Sequence, residues 1–214
     1  MDTKEYIERY FKNCREVVDA LEKQENKISK FVEHLFYAWR GEASVYIMGN
    51  GGSASTASHL AADLAKTVND APGRRGIEAL TPWDNIPLIS AIVNDRPKED
   101  YFTAWLDTFY NDSRSHPIGI GISVHGGSCT DHGGKWSQNL LLGLQYIKDR
   151  GGVTIGLSGF DGGPMAKLVD TCIVVPVSEK ELGTPLVESF HVVVHHLIVF
   201  RLKAMIEEYM RGGG

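Results

Sequence analysis

From Tyr6 to Trp39 the apolar residues recur at steps of three and four (Tyr6, Ile7, Tyr10, Phe11, Val17, Val18, Leu21, Ile28, Phe31, Val32, Leu35, Phe36 and Trp39), the period of an amphipathic helix. The polar stretch Lys23 to Lys27 interrupts this stripe without Gly or Pro, so the spacing predicts either two helices meeting there or one long bent helix. A short apolar run, Ser44 to Met48, then ends in Gly49-Asn50-Gly51-Gly52-Ser53, and Ser55 to Val68 resumes a helical pattern with Leu60, Leu64 and Val68 on one face. Strand, glycine turn and helix in that order are the grammar of an α/β domain. The pattern repeats downstream. Leu88 to Val93 is apolar and leads into Asn94-Asp95, a helix follows around Asp100 to Tyr110, and Ile118 to Ile122 reads as a buried strand despite its two glycines. Leu140 to Lys148 reads as a helix that Gly151-Gly152 closes as a C-cap. Val153 to Leu157 is a strand, Pro164 to Leu168 a short helical turn, and Cys172 to Pro176 another strand.

Three or four buried strands alternating with helices imply a parallel sheet covered on both faces, because parallel neighbours need crossovers and the crossovers are helices. The expected fold is therefore α/β, a flavodoxin-like three-layer arrangement, with ligands beyond the carboxyl ends of the strands. Pro185 to Met210 forms a long helix that is apolar around most of its circumference. Such a helix packs against a sheet face, another subunit, or both. No internal repeat or low-complexity tract interrupts the chain, which divides into a helical extension over residues 1–40 and a single domain over 41–211.

With 43% hydrophobic and 23% charged residues, the composition is that of a globular protein and excludes collagen-like or disordered readings. The formal net charge of −5 gives no general pull toward nucleic acid or anionic lipid. The three cysteines, Cys14, Cys129 and Cys172, form no CxxC pair and support neither a disulfide framework nor a zinc ribbon. The N-terminus mixes charges with apolar residues, unlike a secretory signal, and no segment approaches an unbroken run of about 20 apolar residues. A reducing, cytoplasmic setting without a membrane partner is the expectation.

Four constellations could carry chemistry. The first, Gly49 to Ser55, lies between a strand and a helix, where backbone N–H groups and the helix dipole favour an anion. It lacks the GxxxxGK[ST] pattern and the third glycine of the dinucleotide fingerprint, and a tight turn with a serine N-cap would use the same residues. The second, Ser123-Val124-His125-Gly126-Gly127-Ser128, repeats that small polar character after another strand. It runs on into Cys129, Asp131 and His132, a density that permits metal binding, although the spacings fit no closed zinc motif and suit a solvated loop better. The third is His59 and Asp63, four residues apart on one helix face, able to share a metal or a proton or to form a plain surface pair. The fourth is Glu188, His191, His195 and His196 within the apolar C-terminal helix, where polar groups need partners. His191 and His195 fall within about 60° of Glu188, and His196 lies about 80° away in the other sense.

Together these motifs resemble the sugar isomerase (SIS) domain of sedoheptulose 7-phosphate isomerases. The match runs through Met48-Gly-Asn-Gly-Gly-Ser53, Ser58-His59-Leu-Ala-Ala-Asp63-Leu, Val93-Asn94-Asp95, the Ile122-Ser123 loop, Gly159-Phe-Asp161-Gly-Gly and Glu188-x-x-His191-x-x-x-x-His196. The resemblance implies a homotetramer with sites between subunits, acting on a phosphorylated open-chain sugar through an enediol. Asp63 and His196 would be the acid/base pair, and His59, Asp63, Glu188 and His196 the ligands of a divalent metal such as zinc. Asn50, Gly51, Gly52, Ser53, Asp95, Ser123 and Ser128 would bind the substrate. The sequence departs from the family pattern at Asp63, where the family has Glu, at Glu188, where it has Gln, and at Val124 and His125, where it has Thr and Ser. The family also contains a non-catalytic member that binds the bacterial replication initiator, so a phosphosugar-binding or protein-binding module is the alternative reading.

Overall fold

The computed structural model describes residues 2–69, 75–111, 116–127 and 136–213. Helices α1 (Thr3–Glu22) and α2 (Glu25–Arg40) are separate, the first of the two geometries that the polar interruption allowed. Asp2 and Glu5 cap the start of α1 reciprocally, each side chain accepting from the other's backbone N–H. The chain continues through β1 (Val45–Gly49), α3 (Gly52–Ala65), β2 (Ala79–Leu80), α4 (Ile86–Asp95), α5 (Tyr101–Phe109) and β3 (Ile118–Ile122). It closes with α6 (Gln138–Asp149), β4 (Val153–Gly159), α7 (Gly163–Leu168), β5 (Thr171–Val175) and α8 (Lys180–Arg211).

All pairings are parallel, in the order β2-β1-β3-β4-β5, the flavodoxin-like order. The two-residue strand β2 is too short to carry a pattern and was not legible in the sequence. The alternation of side chains along each strand sorts the core into two layers. Val45 and Ile47 join one cluster with α2, α3 and α8, whereas Tyr46 and Met48 join the other with α5, α6 and α7. In β3 the isoleucines take the first layer, and the two glycines let α6 approach on the second. A Cβ at Gly119 would meet Ile147 Cδ1 at 2.6 Å, and one at Gly121 would meet Leu144 Cδ1 at 2.7 Å.

One expected repeat of the strand pattern is corrected. Leu88 to Val93 lies inside helix α4, whose first turn is set by Pro87 and by the Asn85 side chain accepting from the Leu88 N–H at 3.1 Å. A short apolar run does not by itself distinguish strand from helix; the cap and the ten-residue length do.

The N-terminal helices share the core of the sheet. Phe31, Val32, Leu35 and Ala38 of α2 are buried in the same cluster as Leu60, Ile120 and Ile198. Gln24, between the two helices, satisfies the edge of the sheet: its Nε2 donates to Val174 O at 2.6 Å and its Oε1 accepts from Val174 N–H at 3.0 Å. Among the described residues α8 is the one helix long and apolar enough to cross a bilayer. Leu186, Val194, Ile198 and Leu202 along it are instead buried in the core.

Candidate active site

Gly49 pairs with Ile122, so β1 and β3 end level with one another. The order of connections reverses between these two strands, which opens a crevice at their carboxyl ends. Both loops singled out in the sequence border it. In the first, Gly51 has φ of +57°, a backbone region that glycine enters without strain. The N–H groups of Ser53 and Ala54 close the turn onto Asn50 O and Gly51 O. Asn50 itself is committed to the scaffold. Its side chain exchanges hydrogen bonds with Asn139 at 3.1 and 3.0 Å, and its Oδ1 also accepts from the Tyr101 hydroxyl at 2.6 Å. That network holds the loop in place and gives the Asn50 side chain a structural role beside its place in the cleft lining.

The cleft, of about 230 Å³, is lined by residues 50–53, by Ile122, Ser123, Val124 and His125, and by Trp136, Ser137 and Glu188. The His125 ring stacks on Phe160 with centroids 4.8 Å apart and lies 5.2 Å from the Trp136 ring. Among the described residues no Lys or Arg lines this cleft. An anion here would rest on backbone amides, hydroxyls and an imidazole. Ser128, Cys129 and His132 lie outside the described residues. Asp95 is not brought to the cleft: it ends α4 at the surface, where its carboxylate accepts from Asn94 at 2.8 Å.

Further along α3 and α8, four side chains converge. His59, Asp63, His195 and His196 offer donor atoms that all lie within 4.8 Å of one another. Asp63 Oδ2 is 3.3 Å from His195 Nε2, 3.6 Å from His59 Nε2 and 3.8 Å from His196 Nε2. The structure thus groups His195, rather than Glu188, with His59, Asp63 and His196. Glu188 lies about two turns earlier on α8, and its carboxylate fills the space that a Cβ on Gly52 would need. The expected metal set had Glu188 where this cluster has His195. Motif spacing pointed to His196 and helical phase to His195, and both turn out to face Asp63.

Exposure separates the histidines. The side chains of His59 and His196 are 48% and 44% exposed, whereas that of His195 is 0% exposed. Burial holds His195 down to a pKa of about 4, with the neighbouring His196 and His59 adding to the effect and Asp63 opposing it. Since a carboxylate can only accept, the His195 Nε2 facing Asp63 carries the proton. Its Nδ1 is buried without a partner. His195 is enclosed and its Nε2 is engaged by Asp63, whereas His59 and His196 are open to solvent. His59, Asp63 and His196 then offer two imidazoles and one carboxylate, donor types that suit zinc. His191 is structural: its Nε2–H donates to Ser158 O at 3.1 Å, and burial pushes its pKa down to about 4.

Fold and site together define an α/β domain with a cleft at the strand ends and a histidine–carboxylate cluster beside it. The SIS-domain family profile matches residues 9–91. The phosphoheptose isomerase of Sulfurimonas denitrificans is 32% identical over 91% of this chain and 92% of its own. The lincomycin biosynthesis protein LmbN of Streptomyces lincolnensis is 38% identical over 77% of this chain, which spans 57% of that protein's length. In three dimensions the fold matches a phosphoheptose isomerase from Francisella tularensis with a TM-score of 0.80, at 18% identity, covering 95% of this chain and 100% of that one. The chain belongs to the SIS-domain family, among its phosphoheptose isomerase-like enzymes.

Proposed function

We propose that the protein interconverts the aldose and ketose forms of a phosphorylated sugar of about seven carbons, of the sedoheptulose 7-phosphate type. The observation that carries this reading is the spacing of two contact levels along the facing sides of α3 and α8. Gly52 faces Glu188, and His59 and Asp63 face His195 and His196. Seven residues along each helix separate the two levels, about 10 Å at 1.5 Å per residue. An extended sugar with its phosphate at the glycine and serine loops would place its carbonyl end among the imidazoles. Gly51, Gly52, Ser53 and Ser123 support the phosphate and adjoining hydroxyls from the cleft side, and Ser128 extends the same loop in sequence.

For the ketose, Asp63 takes the proton from C1 while His196 gives a proton to the oxygen on C2, leaving an enediol. His196 then takes the proton from the oxygen on C1, and Asp63 returns its proton to C2, giving the aldose. His59, Asp63 and His196 would hold a zinc or other divalent ion, which supplies polarisation of the carbonyl.

Incubating the purified protein with sedoheptulose 7-phosphate in deuterated water tests the reading. Deuterium is expected at C1 or C2 together with aldose product, and metal analysis of the same preparation is expected to find a divalent ion. Neither exchange nor binding would overturn the enzyme reading. Binding without exchange would favour the phosphosugar-sensing alternative, to which the Val124 and His125 replacements in the loop point.

The homotetramer and the cytoplasmic setting belong to the same proposal. On α8, Val193, Leu197 and Phe200 are 55%, 52% and 59% exposed along the face that carries His196. An apolar stripe at this spacing is suited to a second copy of the chain. Replacing Leu197 and Phe200 together by Asp is expected to yield a smaller species in light scattering. An unchanged mass would remove this stripe from the interface.

A further inference from the structure

We infer that Thr67 and His195 are positioning residues, which hold the Asp63 carboxylate by one oxygen each in the orientation from which it takes the substrate proton. The inference rests on the reading of Asp63 as the base. Asp63 Oδ1 accepts from the Thr67 hydroxyl at 2.9 Å, and Oδ2 accepts from His195 Nε2 at 3.3 Å. The two donors come from different elements. Thr67 opens a 3₁₀ turn, Thr67–Asn69, just after α3, and His195 projects from α8. An aspartate has two side-chain torsions, and anchoring both oxygens fixes the plane of the carboxylate as well as its position.

His59 and His196 reach the same Oδ2 only at 3.6 and 3.8 Å, and both are about half exposed, so they stay available to substrate or metal. His195 is enclosed, among neighbours such as Val194, Ile198 and Val199 that are themselves buried. A residue that merely filled this space would be aliphatic like them. The imidazole instead leaves Nδ1 buried and unpaired, a cost to the fold. Its one hydrogen bond, to Asp63, accounts for its presence.

The test uses the protein as purified and deuterium exchange from sedoheptulose 7-phosphate as the rate. Thr67→Val removes the hydroxyl at nearly constant size and is expected to lower kcat by about 10- to 100-fold with KM little changed, the scale of a misplaced reacting group. Thr67→Ser is expected to restore most of it. His195→Gln, which keeps an N–H donor, should retain more activity than His195→Leu. Independently of turnover, the ring nitrogen shifts of His195 should show Nε2 protonated and Nδ1 not, with the Nε2–H signal moved in Asp63→Asn. Wild-type kcat in Thr67→Val, or a proton on Nδ1 of His195, overturns the inference. Should His195→Leu fail to fold, Thr67→Val and the nitrogen shifts decide alone. An active Asp63→Asn would overturn the base assignment itself, which distinguishes failure of that reading from failure of the positioning role.

Discussion

Asp63→Asn is expected to lower the isomerisation rate by about 10²- to 10⁴-fold, the contribution of a positioned general base. The amide cannot take a proton from carbon, yet its oxygen can still accept one of the two hydrogen bonds that reach the carboxylate from Thr67 and His195. Activity should therefore collapse while the melting temperature moves little. Asp63→Ala should lose activity to the same degree and stability besides, because the buried His195 donor is left without an acceptor. Exchange measurements on both variants beside thermal melts separate the two effects. Turnover at the wild-type rate in either variant would remove Asp63 from the chemistry.

Phe31→Ala should have the largest effect on stability. Phe31 is fully buried in the cluster that joins α2 to the sheet and to α8, and removing a core phenylalanine costs about 3–5 kcal/mol through lost transfer energy and the cavity left behind. In a chain of this size that lowers the melting temperature by about 6–20 °C. The transition should remain single, because residues 1–40 melt with the core they help to build. A separate early transition in the wild-type protein, absent from the variant, would instead mark the helical extension as an independent unit.

Much of the fold was legible from local patterns. The stripe from Tyr6 to Trp39, the runs at 44–48, 118–122, 153–157 and 172–176, and the glycine turns after the first two strands each carry a period or a turn signal within a few residues. Parallel order then follows from helices between strands. What misled was short. Leu88 to Val93 holds six residues of ambiguous period, and only the Asn85 cap and Pro87 show that it is helical. β2 is two residues long and exists because β1 offers an edge at Val45 and Tyr46.

The candidate site was legible as a set of residue types and not as a set of contacts. The sequence by itself determined that His59 and Asp63 share a helix face, that glycine loops follow β1 and β3, and that histidines interrupt an apolar C-terminal helix, because each of these depends on separations of a few residues. Only the tertiary structure decided that Glu188 sides with Gly52, that Asp95 stays at the surface, and that His195 and Thr67 grip Asp63. The physical reason lies in α8. A helix apolar around its circumference carries no stripe from which its inward face can be read, so the partner of each polar side chain is settled by how α8 packs against α3 and the sheet.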